Sequence, residues 1–355
     1  MLSLTGRPLL LLAVAGAVLT LLAAVLLAVR RNDRPLGRRL LLRGAPVAVL
    51  VVLAQALAVS AFALEVNRQY AFYTSWADLT GGVTQGTAIQ TNGLLTSGQG
   101  ALHVVTVHNR RYGRDDQLMV WLPPQYSDPA FATHRFPVVM FLSGQPSSPQ
   151  TVFRQFHFGS TATKAIAQGR TPPFVAVFPT LMVAPPRDTE CTNVPNGPAA
   201  ENWLAYDVPG YLAAHYRVRP VGKAWSAMGW STGGFCAAKL VAAHPDRFGS
   251  AVNFGGYYQP IVDHTTGNLF GGRKELRWHN SPLWLYDHRS GLHGSRLLMI
   301  AGKQDHETWR STSLMIRKTA GDPAVSHIAF PVGGHNYRNY SAYLPAALSW
   351  SASTW

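Results

Sequence analysis

The chain reads as an α/β protein: a three-layer domain built on a mainly parallel sheet, preceded by an N-terminal two-helix transmembrane hairpin. Three observations predict this. From about residue 114, short and continuously apolar runs bounded by Gly and Pro alternate with helix-like stretches, as a parallel sheet covered on both faces requires. Ahead of them stand two apolar runs of 21 residues, Leu9 to Val29 and Gly44 to Leu64, each long enough to cross a bilayer as a helix. Charged residues make up only 14% of the 355, against about 25% in a typical soluble protein. The deficit is concentrated in those two runs.

The first run is unbroken, and the second is interrupted only by Pro46, Gln55 and Ser60. Buried core helices rarely lack a polar face for so long, which favours two membrane spans. The link between them, "RRNDRPLGRRLLLR", carries six arginines against Asp33. Short arginine-rich loops stay on the cytoplasmic side, so everything after Leu64 is expected outside the cytoplasm, held at the cell membrane. A rival reading takes "AFA" (Ala61 to Ala63) as a signal-peptidase site, which releases the domain into the same compartment. The expected organisation is therefore residues 1–64 as the hairpin, 65–113 as a linker and entry segment rich in Gly, Thr, Ser and Gln, and 114–355 as the catalytic domain.

Formal net charge is +14. The hairpin supplies seven arginines and one aspartate, and the remaining 24 basic and 16 acidic side chains leave +8 on the outer domain. No Lys/Arg run or aromatic-basic motif accompanies that balance, so nucleic acid is not an expected partner. Anionic lipids or envelope polymers fit the location better, and an alkaline balance without any partner fits equally. The two cysteines, Cys191 and Cys236, lie 45 residues apart, with no zinc-type spacing. Outside the cytoplasm such a pair is free to form a disulfide, but sequence leaves open whether the two meet.

Seven runs are expected as buried strands: "QLMVWLP", "FPVVMFLS", "PFVAVFP", "AWSAMGW", "GSAVNFG", "RLLMIAG" and "HIAFPV". Between them "ENWLAYDVPGYLAAHY" and "TGGFCAAKLVAAH" read as helices, the latter stopped by Pro245. The segment "GWSTGG" (Gly229 to Gly234) sits where an apolar strand meets a small-residue helix. That is the strand-turn-helix of a nucleophile elbow, with Ser231 as the nucleophile. Side chains at Gly229 or Gly233 would collide with the neighbouring strand and helix. The turn also places the Thr232 amide at the positive end of the helix, where an oxyanion is stabilised.

A serine hydroxyl needs a base, and the base needs an orienting carboxylate. After "RLLMIAG" comes "KQDHE", which offers Asp305 three residues past the strand, with Glu307 as the alternative; after "HIAFPV" comes "GGHNYRNY", which offers His335 beside two glycines. Both follow strand ends, where open α/β sheets gather their ligands. In "FLSGQPSS" the Gln145 amide is the candidate second oxyanion donor, with Gly144 or Ser143 as alternatives. Trp230, Tyr257 and Tyr258 are the candidate substrate-binding residues. The insertion between "GSAVNFG" and "RLLMIAG", with Trp278 and Trp284, suits either a cap over the site or plain packing. Its adjacent Asp-His pairs (Asp263 and His264, Asp287 and His288) are expected to be solvated rather than metal-binding. No metal or cofactor is expected.

The strings "VWLPPQY", "FPVVMFLSG", "GWSTGGFCAAKLVAAHPDRFGSAVNFGGYY" and "GGHNYRNY" resemble the putative-esterase branch of the α/β-hydrolases. That branch includes esterase D (S-formylglutathione hydrolase), feruloyl and enterochelin esterases, and the mycolyltransferases of mycobacterial envelopes. The likeness covers about residues 110–350. It implies an α/β-hydrolase fold, Ser231, Asp305 and His335 as the triad, Gln145 and Thr232 as oxyanion donors, and a small-molecule or lipid ester as substrate. The loop that in many relatives reads His-Gly or Asp-Gly is Ser143-Gly144 here, and tyrosines follow the histidine where tryptophan is common. Reaction class is untouched by these departures, while acyl preference and acceptor stay open. A hairpin ahead of such a domain resembles actinobacterial envelope proteins. The expected activity is a membrane-anchored, extracytoplasmic serine esterase. The alternatives are an acyltransferase to a sugar or glycerol hydroxyl and a non-catalytic envelope protein that keeps the fold.

Overall fold

The structure, a computed structural model, describes residues 4, 6–32, 40–70, 76, 93–109, 113–289 and 291–355. The chain divides into two compact units, Met1–Gly81 and Gly82–Trp355.

In the first unit the helices are Arg7–Asn32 and Leu40–Tyr70. Within them the stretches Arg7–Arg30 and Gly44–Arg68 are long and apolar enough to cross a membrane. Their apolar side chains face outward, Leu19 being 65% and Val59 68% exposed. A soluble core helix would bury such residues. Gly16 lets the two helices approach closely, since a side chain there would meet Leu57 at 3.3 Å. Residues 33–39 of the arginine-rich link lie outside the described residues.

The second unit is an eight-stranded sheet in the order β1-β2-β4-β3-β5-β6-β7-β8. The strands are β1 (Ala101–Asn109), β2 (Arg114–Leu122), β3 (Val138–Leu142), β4 (Val175–Pro179), β5 (Gly222–Trp230), β6 (Phe248–Phe254), β7 (Arg296–Gly302) and β8 (Val325–Phe330). β1 and β2 are antiparallel to their neighbours, and every pair from β4 to β8 is parallel. All seven expected strands form. β1 is the eighth, and it falls in the segment expected to be linker. Only Val107 and Asn109, toward its end, are buried, so its alternation is weak. Gly100 brings the chain onto β2 ahead of it, because a side chain there would strike the Leu122 carbonyl at 2.1 Å.

Side-chain alternation along the strands separates the two covering layers. Val138, Met140 and Leu142 of β3 and Val175 and Val177 of β4 pack on one face with Trp203, Phe235 and Leu240. Phe141 and Phe178 point to the other face and meet Phe156, Phe153 and Phe158 edge-on. The three-layer expectation thus takes physical form. The expected helix over 201–216 is present with a π turn at Trp203–Asp207 ahead of Pro209.

The cysteine question is resolved: Cys191 and Cys236 are disulfide-bonded, with their Cα atoms 5.9 Å apart. The bond ties the loop after β4 to the helix Thr232–Ala243.

Candidate active site

Four loops meet at the carboxyl ends of parallel strands, those after β3, β5, β7 and β8. Ser231 follows β5 directly, with φ 57° and ψ −121°, a conformation that costs a non-glycine residue about 1–3 kcal/mol. Its amide donates to the Phe254 carbonyl at 3.0 Å, and its carbonyl accepts from the Phe235 amide at 3.1 Å. The surrounding glycines are dictated by contact. A side chain at Gly229 would lie 2.0 Å from the Gly233 carbonyl oxygen, and one at Gly233 would lie 2.3 Å from that of Leu142. Gly144 brings the β3 loop onto the serine, since its missing Cβ would sit 3.0 Å from Ser231 Cβ. Gln145 and Thr232 both line the cleft beside Ser231, and Thr232 opens the helix that follows it.

His335 Nε2 lies 3.0 Å from Ser231 Oγ, and its Nδ1 lies 2.7 Å from Asp305 Oδ2. Asp305 is 2% exposed and caps the helix His306–Lys318. Tyr340 donates its hydroxyl to Asp305 Oδ2 at 2.6 Å and accepts from the Gly302 amide at 3.1 Å. Burial pushes the Asp305 carboxyl up, but the hydrogen bond and charge of His335, with the Tyr340 hydroxyl, outweigh it and hold the group below its ordinary value. Tyr340 itself is pushed up, first by burial and then by Asp305. The side chain of Glu307, the alternative acid, lies outside the described residues.

The three expected substrate-binding aromatics part company. Trp230 is 5% exposed and stacks on the imidazole of His335 at 4.3 Å. It backs the histidine rather than lining the cleft. Tyr258 is 1% exposed and belongs to the core, with its amide donating to Ser311 Oγ at 3.0 Å. Tyr257 alone of the three lines the cleft. Its hydroxyl donates to Glu190 Oε1 and lies 3.4 Å from Thr232 Oγ1.

The cleft has a volume of about 720 Å³ and takes one wall from the insertion after β6, at Gln259 to Thr266. Sequence reading missed Asp188 and Glu190, which complete its floor. The only pointer to them is Cys191 next door, through its bond to the helix that follows Ser231. Burial pushes Asp188 up from its ordinary value of 3.8 to about 6, against a hydrogen bond from the Glu190 amide and with help from Asp263. Burial and Asp188 likewise push Glu190 well up. Among the described residues no group of three or more His, Cys, Asp or Glu side chains is placed to hold a metal ion.

A raised carboxyl favours the protonated native state, so its contribution is present below the unfolded pKa and is lost as pH rises through the folded one. For Asp188 that window runs from 3.8 to about 6, a span worth about 3 kcal/mol if the group acts alone. The protein is therefore expected to melt several degrees lower at pH 7 than at pH 5. Asp188→Asn should flatten that slope in thermal unfolding followed by fluorescence, and an unchanged slope would clear Asp188 of the effect.

An eight-stranded sheet of this order, with serine on a strained turn after β5 and histidine after β8, defines the α/β-hydrolase class. Within that class the chain belongs to the family described as Putative esterase, which matches residues 110–350. An uncharacterised protein of Corynebacterium glutamicum is 25% identical over 243 residues, 65% of this chain and 56% of that protein. The MPT51/MPB51 antigen of Mycobacterium tuberculosis is 36% identical over 76 residues, 21% of this chain and 25% of the antigen. The chain thus spans little more than half of the first curated relative and a quarter of the second. In fold it is similar to an S-formylglutathione hydrolase from Agrobacterium tumefaciens, with a TM-score of 0.62 at 18% identity over 73% of this chain and 97% of that one.

Proposed function

We propose that the protein is a membrane-anchored serine esterase whose catalytic domain lies outside the cytoplasm. The observation that carries this reading is the unbroken chain from Ser231 Oγ through His335 to the buried Asp305. His335 Nε2 takes the serine proton as Oγ bonds to the ester carbonyl carbon. The oxyanion is held by the amides of Thr232 and Gln145. The tetrahedral intermediate collapses by breaking the bond to the alcohol oxygen, which receives the proton from His335. Water then repeats the sequence and frees the acid. With an alcohol in place of water the same steps give acyl transfer, and the polar side chains of the cleft favour this as the second reading. Labelling with a fluorophosphonate probe, peptide mass spectrometry and turnover of short- and long-chain esters test the reading; an unlabelled Ser231 would refute it.

The disulfide supports an oxidising compartment, and the two long apolar helices support an anchor. Both native cysteines are bonded to each other, so a cysteine introduced between Arg30 and Arg43 is the free thiol. It is expected to resist an impermeant thiol reagent in intact cells, whereas one introduced at Thr96 should react. The reverse pattern would place the catalytic domain in the cytoplasm.

A further inference from the structure

Beside the catalytic cleft lies a second cavity of about 380 Å³, which shares Gln259, Pro260 and Arg277 with it as a common wall. Its remaining lining includes Lys274, Trp278 and Trp284. The two indoles lie parallel, 11° apart with centroids at 6.2 Å, and Trp278 is 45% exposed. Among the described residues neither Arg277 nor Lys274 has a side-chain hydrogen bond or ion pair. Arg277 thus stands at the junction of the two cavities, while Lys274 and the open face of Trp278 belong to the second alone. Trp284 in turn stacks on His288 at 4.2 Å.

We propose that this side cavity is a subsite for a negatively charged glycosyl group on the alcohol side of the ester, its anionic substituent held by Arg277 and Lys274 and its ring face by Trp278. The proposal rests on the esterase reading of the adjoining cleft. A pyranose offers one face of C–H bonds that packs on an indole, and its substituents stay free for polar partners. A guanidinium meets a carboxylate or phosphate through paired N–H donors. Asp188, Glu190 and Asp263 line the catalytic cleft and not the side cavity. Asp263 Oδ1 is turned into its own loop by the Thr265 amide and hydroxyl at 2.8 and 2.7 Å. The leaving alcohol is then the glycosyl hydroxyl, which takes its proton from His335.

The test uses the full chain in detergent and three acetate esters: those of methyl glucoside, of methyl glucuronide and of a methyl glucoside phosphate. At least one charged ester is expected to show a KM roughly tenfold below that of the neutral one. The carboxylate and phosphate arms tell which anion is read. The advantage should shrink with added salt and disappear in Arg277→Gln, with thermal melting as the control for folding. Trp278→Ala, at an exposed position, should raise KM for all three sugar esters more than for 4-nitrophenyl acetate. Equal KM values for neutral and charged esters, or an advantage that survives Arg277→Gln, would overturn the subsite. If Ser231 still takes the fluorophosphonate probe in those samples, only the subsite falls; if it does not, the esterase reading falls with it.

Discussion

Ser231→Ala is expected to lower kcat toward 4-nitrophenyl esters by about 10⁶-fold and to abolish fluorophosphonate labelling. The size of the effect follows from the geometry. Ser231 Oγ stands 3.0 Å from His335 Nε2, and alanine leaves the imidazole with no proton to take and the ester with no oxygen to bond. The residual rate would come from water held near the oxyanion donors. The fold should survive, because alanine at φ 57° is as strained as serine and the backbone bonds of the turn to Phe254 and Phe235 are untouched. Melting temperature should therefore stay within a few degrees of wild type while activity vanishes. Activity within tenfold of wild type would remove Ser231 from the mechanism.

The elbow was legible because its causes are local. A serine flanked by glycines, with an apolar strand before it and a small-residue helix after it, has few other uses. The parallel strands were legible for a similar reason, since burial on both faces demands continuous apolar runs. Asp305 and His335 could be placed near the serine because both follow strand ends on one edge of the sheet. β1 could not be read with the same ease. As an edge strand it is half exposed, and its consecutive Val104 and Val105 blur the alternation.

The direction of single side chains was the other limit. Tyr257 and Tyr258 are neighbours in sequence, yet one lines the cleft and the other is core. Consecutive residues in an extended segment point opposite ways, and sequence does not say which of two tyrosines faces inward. Asp188 and Glu190 were invisible for a different reason. Their partners, Thr265 for the Asp188 amide and Tyr257 for Glu190, come from the distant insertion. No pattern within the loop after β4 announces a contact across the site.

Asp305→Asn is expected to reduce kcat by about 10⁴-fold with little change in folding. Asp305 Oδ2 accepts from His335 Nδ1 at 2.7 Å and from the Tyr340 hydroxyl at 2.6 Å. An anion in that position fixes the tautomer with its proton on Nδ1, so that Nε2 is free to take the proton of Ser231. An asparagine can present its NH₂ group to Nδ1 instead, which favours the tautomer that cannot act as base. The imidazolium formed in the transition state also loses its counter-charge. Tyr340→Phe makes the informative comparison, because it removes one hydrogen bond from Asp305 and leaves the charge in place. Its expected loss is about tenfold, the scale of a single hydrogen bond to a charged group. Asp305→Asn should also weaken the start of the helix His306–Lys318, whose Thr308 amide donates to Asp305 Oδ1 at 3.4 Å, but asparagine caps nearly as well as aspartate. A pH–rate profile separates the roles. The carboxylate is held below its ordinary value, so its own ionisation should leave no step in the wild-type profile at neutral pH. If Asp305→Asn cost less than tenfold while Glu307→Gln cost 10³-fold or more, the orienting acid would be Glu307 and Asp305 would be a helix cap.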